Sequence, residues 1–126
     1  TTNLRYPMYA AGWPVYGYPN GYGLMQLDNS PAPLEEHVWN WKSNIDGGKV
    51  RFDTSKSTVQ NYIDDRNATN IDSIFYMNAY QNYNSGTRRY WDWDREKAKW
   101  VESDDKGSNP SYGKKVYAIL KQLRNQ

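Results

Sequence analysis

At 126 residues the chain has the length of one domain and can bury a core without metal or disulfide staples. Sixteen Lys and Arg against fourteen Asp and Glu leave a net charge of +2, too even for a nucleic-acid footprint, while leaving room for weak attraction to an anionic cell wall. The absence of cysteine excludes disulfide scaffolds, thiol nucleophiles and cysteine-based metal centres.

The overall polarity of the chain would suit disorder, but six Trp and twelve Tyr supply apolar faces that disordered chains lack. A folded domain is therefore expected. Such rings either fill a core or line a wet groove where flat faces stack on sugars and polar tips stay hydrated. No apolar run reaches the length of a membrane span, and no charged-then-apolar leader opens the sequence. The first residue is Thr1 rather than Met, as in a processed product or an excised piece of a longer chain.

Residues 1–33 are rich in Gly, Pro, Tyr and Asn, with Gly12-Trp13-Pro14, Pro19-Asn20-Gly21 and Pro31-Ala32-Pro33 as turn chemistry. They read as ordered loop with short strands, and residues 21–28 are suited to a small hairpin. Two glycines there also permit close approach of a ligand to backbone. Over residues 34–65, Val38, Trp41, Ile45, Val59 and Ile63 fit helical spacing in two stretches, interrupted at a weak point, Gly47-Gly48, whose favoured role is close packing of another helix against that face. A further helix is predicted from about Asn70–Asp72, carrying Ile71, Ile74, Phe75, Asn78, Ala79 and Asn82 to Tyr83, with polar residues capping its start and an end at Asn84-Ser85-Gly86. Residues 87–107 mix Trp91, Trp93 and Trp100 with charges and read as a folded-back loop or hairpin. The last helix has the clearest signature, with Asn109 as cap and Pro110 in the first helical position. Its stripe is Tyr112, Val116, Ile119, Leu120 and Leu123, and Lys and Arg crowd its end. No internal repeat or low-complexity linker marks a second domain.

Several familiar chemistries fail on inspection. His37 is the single histidine, and neither a nucleophile elbow nor a paired-histidine zinc motif accompanies it. The run Glu102-Ser103-Asp104-Asp105-Lys106-Gly107 places a lysine where a calcium loop needs a ligand, and reads as a solvated turn. The sequon Asn67-Ala68-Thr69 is too short to carry weight. No metal and no cofactor are expected. Carboxylates beside aromatic side chains remain, the pattern that glycoside hydrolysis requires, with one group to protonate the leaving oxygen and often a second for the nucleophile or its water. Asp28, Glu35 and Glu36 are the nearest candidates.

At this point the residues resemble a family. Gly21-Tyr22-Gly23-Leu24-Met25-Gln26-Leu27-Asp28 is similar to the Gly-Leu-Met-Gln motif of goose-type lysozymes and soluble lytic transglycosylases. Trp39-Asn40-Trp41-Lys42-Ser43-Asn44-Ile45-Asp46-Gly47-Gly48 is similar to the segment where the next helix of those proteins starts. Tyr83-Asn84-Ser85-Gly86 is similar to their Tyr-Asn-x-Gly motif, and Tyr90-Trp91-Asp92-Trp93 looks like phage and secreted bacterial members. The likeness spans residues 12–86, in the family's order.

The resemblance implies a mainly α, α+β lysozyme-like fold: a single domain with helices around a cleft and a small Gly-rich hairpin. It implies a cleft floor of Tyr22, Gly23, Leu24, Met25 and Gln26 that bonds the N-acetyl groups of a glycan, with Asn84 and Trp91 as further substrate contacts. Tyr83 would orient the general acid, and Asp28 would help hold a water against the far face of the sugar, although a capping role suits Asp28 equally. The implied reaction is hydrolysis of the bond between N-acetylmuramic acid and N-acetylglucosamine in peptidoglycan. The alternatives are a lytic transglycosylase giving anhydro products and a non-catalytic peptidoglycan-binding module. The family's catalytic glutamate precedes the Gly-Leu-Met-Gln motif, whereas the first glutamate here is Glu35. Counting back places the acid at or before Thr1, so an upstream segment completing the fold is expected. Secretion or delivery to the bacterial periplasm or cell wall follows, as a phage endolysin or an antibacterial toxin, with an inhibitor or immunity protein as a further partner.

Overall fold

Three helices and two short antiparallel ladders make up the described residues, 16–17, 21–22 and 40–125, of the computed structural model. In chain order they are β1 (Tyr16–Gly17), β2 (Gly21–Tyr22), α1 (Trp41–Arg66), α2 (Asp72–Ser85), β3 (Trp91–Asp94), β4 (Lys99–Glu102) and α3 (Tyr112–Arg124). The described part is thus mainly helical, as the sequence predicts. No described helix is long and apolar enough to cross a membrane. The chain forms two compact units, residues 1–51 and 52–126, with the boundary inside α1.

In the first unit β1 and β2 pair with Tyr16 opposite Tyr22 and Gly17 opposite Gly21. Of the segment 21–28 expected to form a hairpin, Gly21 and Tyr22 pair with a strand that precedes them, and residues 23–28 lie outside the described residues. Asn40 starts α1, its side-chain oxygen accepting the backbone N–H groups of Lys42 at 3.0 Å and Ser43 at 3.1 Å. Two donors that a helix start leaves unpaired are thereby satisfied. The expected interruption at Gly47-Gly48 does not occur, and α1 runs unbroken through both glycines. Each glycine costs about 1 kcal/mol relative to alanine, too little to break a 26-residue helix fixed at both ends.

The far end of α1 lies in the second unit and closes on Asn67, whose φ of +50° is left-handed. The Ala68 N–H donates to the Ile63 carbonyl at 3.0 Å and the Asn67 N–H to the Asp64 carbonyl at 3.3 Å, the paired bonds of a Schellman ending. The apolar contact that accompanies such endings is present, because Ala68 packs against the cluster containing Ile63. That cluster is small: Val59, Ile63 and Ala79, flanked by Phe52, Phe75 and Trp100. Aromatic contacts extend it, with Phe52 stacked on Tyr80 at 4.9 Å between centroids and Trp93 edge-on to Trp100 at 5.3 Å.

Amide side chains on α2 complete what this apolar cluster cannot. Asn78 and Gln81 are both fully buried. The Asn78 Oδ1 accepts the Tyr90 and Trp91 backbone N–H groups at 3.0 and 2.7 Å, while its Nδ2 donates to the Trp91 carbonyl at 3.1 Å. Gln81 Nε2 donates to the carbonyls of Lys106 and Asn109 at 2.7 and 2.9 Å, and its Oε1 accepts the Gly113 N–H at 2.8 Å. Asn78 therefore holds the start of the β3–β4 hairpin, and Gln81 holds the start of α3. A buried amide with every partner in place is worth about 1 kcal/mol per bond, and costs more than that when a partner is stranded.

The hairpin predicted within residues 87–107 is present. Trp91 faces Glu102, Trp93 faces Trp100 and Asp94 faces Lys99. Its turn is organised by the Asp94 carboxylate, which accepts the Glu96 and Lys97 N–H groups. Two expected caps are corrected. The residue preceding α2 is Ile71, extended and without a side-chain cap bond, so Asp72 contributes through its charge in the first turn rather than as the cap. Helix α3 begins at Tyr112 with Ser111 at the cap position and no side-chain cap bond. Asn109 and Pro110 belong to the preceding turn, where the Asn109 carbonyl accepts from both Tyr112 N–H and Gln81.

Candidate functional site

Of the residues singled out for function, Tyr83, Asn84 and Trp91 lie in the second unit. Tyr83 and Asn84 occupy the last turn of α2, which ends where Gly86 adopts a φ of +84° and its N–H donates to the Asn82 carbonyl at 2.7 Å. A left-handed glycine is the ordinary way to stop a helix sharply, so the Tyr-Asn-Ser-Gly segment is in part a helix terminator. Tyr83 is half-buried with its ring edge-on to Phe52 at 6.2 Å, and Asn84 is exposed. Trp91 is tied back to α2: its backbone N–H meets Asn78 and its indole N–H donates to the Met77 sulfur at 3.3 Å. Its side chain is half-buried. Tyr22 contributes backbone pairing in β2, whereas Gly23, Leu24, Met25, Gln26, Asp28, Glu35, Glu36 and His37 lie outside the described residues.

Immediately before Tyr83, Asn82 lines a depression of about 210 Å³ together with Thr58, Asn61, Tyr62, Arg66 and Arg89. This site was not singled out from the sequence. Its signal was present as Tyr62 and Arg66, spaced four residues apart on one helix face, and as Arg89 shortly after Gly86. The chain separation between the two parts concealed it. Tyr62 is the centre, its phenol oxygen accepting the Trp93 backbone N–H at 3.0 Å and its ring in contact with the guanidinium groups of Arg66 and Arg89. Arg89 also pairs with Asp92 at 3.0 Å.

A second polar group sits at the base of the hairpin. Glu102 pairs with Lys106 at 3.2 Å beside the Tyr90 hydroxyl, and Lys106 also donates to the Ser103 carbonyl at 2.8 Å. Lys106 and then Tyr90 hold the Glu102 carboxyl below the usual carboxylate range, which makes it a poor proton donor at neutral pH. Burial, and then the adjacent carboxylate, push the Tyr90 hydroxyl upward. This cluster fastens the loop after β4 and offers no acid. Among the described residues no group of three or more His, Asp or Glu could hold a metal ion.

Comparison with protein-family models, with curated proteins and with solved structures finds no match to this chain.

Proposed function

We propose that the chain binds peptidoglycan glycan strands and forms part of a muramidase that hydrolyses the bond between N-acetylmuramic acid and N-acetylglucosamine. The observation that carries this reading is the ordered set of three motif-like segments: Gly-Leu-Met-Gln at residues 23–26, the Trp39–Gly48 segment, and Tyr-Asn-Ser-Gly at residues 83–86. Two structural features support it. Helix α1 begins at Trp41, inside the second segment, and α2 ends at Ser85 and is capped by Gly86, the last residue of the third.

In this reading Tyr22 to Gln26 form the cleft floor, Tyr83 orients the acid, Asp28 positions water, and Asn84 and Trp91 touch the glycan. The proton donor is a glutamate that the 126 residues do not supply before Glu35. A non-catalytic glycan-binding module is the second reading, favoured by the aromatic content of the chain, six Trp and twelve Tyr. Mass analysis of products released from purified peptidoglycan, by this chain and by a version extended upstream of Thr1, tests both. Reducing-end muropeptides from the extended version alone are expected. Anhydro products would reassign the reaction to a lytic transglycosylase, and binding to sacculi without release by either version would leave only the binding module.

A further inference from the structure

Two arginines lie against the ring of Tyr62. The guanidinium carbon of Arg66 lies 3.8 Å from the ring centroid and that of Arg89 lies 4.0 Å from it. Their carbons are therefore no farther apart than the sum of those distances. The ring cannot turn away freely, since its hydroxyl is held by the Trp93 N–H. Placing two like charges so close is unfavourable, and attraction to the faces of the ring offsets part of that cost. Asp92 answers the charge of Arg89, while Arg66 makes no ion pair among the described residues. Both arginines line the depression, and Asp65 lines it beside them.

A guanidinium lying flat on a ring keeps its N–H edges for a planar oxyanion. The lining therefore offers guanidinium donors for a carboxylate and, in Asp65, an acceptor for a cation. With Asp65 and Asp92 balancing Arg66 and Arg89 in number, the pocket suits a ligand of near-zero net charge and disfavours a phosphate dianion or a polyanion. We propose that this pocket takes a zwitterionic amino-acid centre, a carboxylate and an ammonium on one carbon, as found at the side-chain end of the diaminopimelate in cell-wall stem peptides. The choice of a wall peptide as the source rests on the glycan-strand reading above. Arg66 and Arg89 hold the carboxylate, Asp65 holds the ammonium, and Asn82 joins this pocket to the Tyr83–Gly86 turn.

The test is calorimetric titration of the full chain with two synthetic stem tripeptides, Ala-Glu-diaminopimelate and Ala-Glu-Lys. The lysine peptide keeps the amine and lacks the carboxylate. The wild-type chain is expected to bind the diaminopimelate peptide about tenfold more tightly, the difference made by one charge-assisted hydrogen-bonded contact. Arg66→Gln removes that preference, Arg66→Lys retains part of it, and Asp65→Asn weakens both peptides alike; thermal melts of each variant show whether the fold is intact. Equal binding of the two peptides to the wild type, or a preference that survives in a folded Arg66→Gln chain, overturns the proposal. Glycan binding without any peptide preference removes the pocket and leaves the glycan-strand reading standing. A preference in a chain that neither binds nor cleaves glycan, alone or extended upstream, leaves the pocket and removes that reading.

Discussion

Helices α2 and α3 invert what their sequences suggest. Helix α3 has the clean apolar stripe, yet Ile119 and Leu123 are 56 % and 60 % exposed, and of its residues Gly113 alone is buried. Helix α2 has almost no amphipathic pattern, yet it buries Asn78, Ala79, Gln81 and Asn82 and fastens both the hairpin and α3. Apolar periodicity reports which face a helix can bury. It does not report which helix a domain with few aliphatic residues places at its centre. When the segments to be packed are irregular, their backbone groups need partners, and amides on a helix provide them where leucines would not.

Removing the central amide should have the largest effect. Gln81→Ala opens a cavity, strands the Lys106 carbonyl and the Gly113 N–H, and leaves the Asn109 carbonyl with the Tyr112 N–H alone, an expected loss of about 4 kcal/mol, measured by urea unfolding. A loss below about 1 kcal/mol would show that water replaces the amide and that α2 is not the organiser. Next is Gly113→Ala, because an added Cβ would collide with the Met77 carbonyl oxygen and stand 3.2 Å from the Gln81 backbone nitrogen. Backbone cannot yield as a side-chain tip does, so about 3 kcal/mol is expected, seen as a lowered Tm with loss of α3 docking.

Alkaline pH probes the same packing with a smaller effect. Burial raises the hydroxyls of Tyr80, Tyr90 and Tyr112 above their ordinary value of 10.0, so the folded state keeps protons that the unfolded chain gives up. That contribution is whole below pH 10 and declines as pH rises toward the folded values. Glu102 has the opposite sign: its lowered pKa contributes above its ordinary value and is lost as pH falls through the folded one. Glu102→Gln should flatten the acid limb of a Tm-against-pH curve and, because the carboxylate helps to raise Tyr90, weaken the Tyr90 part of the alkaline limb while leaving the parts of Tyr80 and Tyr112 in place. The smallest effect is expected on α3, where Ile119→Ser and Leu123→Ser should each change stability by no more than about 0.5 kcal/mol. A loss of 2 kcal/mol or more, the scale of full burial, would mean that the stripe is covered in solution and would erase the contrast with α2.

Much of the helical layout was legible because it rests on local signals. The Asn84-Ser85-Gly86 stop of α2 and the turn-rich hairpin between Trp91 and Glu102 are examples. What sequence reading missed depends on distant partners. Asn109 looks like a helix cap, but its carbonyl is committed to Gln81, 28 residues away, and the helix starts later. Gly47-Gly48 looks like a break because local propensity counts against it, while the Asn40 cap and the Asn67 ending hold the helix on either side. In the candidate site, Tyr83, Asn84 and Trp91 were named for their motif context, but the Tyr62 pocket was invisible because it joins α1 to a residue beyond the end of α2.

The bond between Gly113 and Gln81 also sets how one amide exchanges with solvent. Gly113 is the second residue of α3, where a helix has no internal acceptor for the N–H and deuterium normally enters within the dead time of a measurement. Here the acceptor is a fully buried side chain on another helix. The Gly113 amide should therefore exchange only when α3 separates from α2, far more slowly than Lys114 beside it. That single slow amide would report the free energy of undocking α3 without any substitution in the protein.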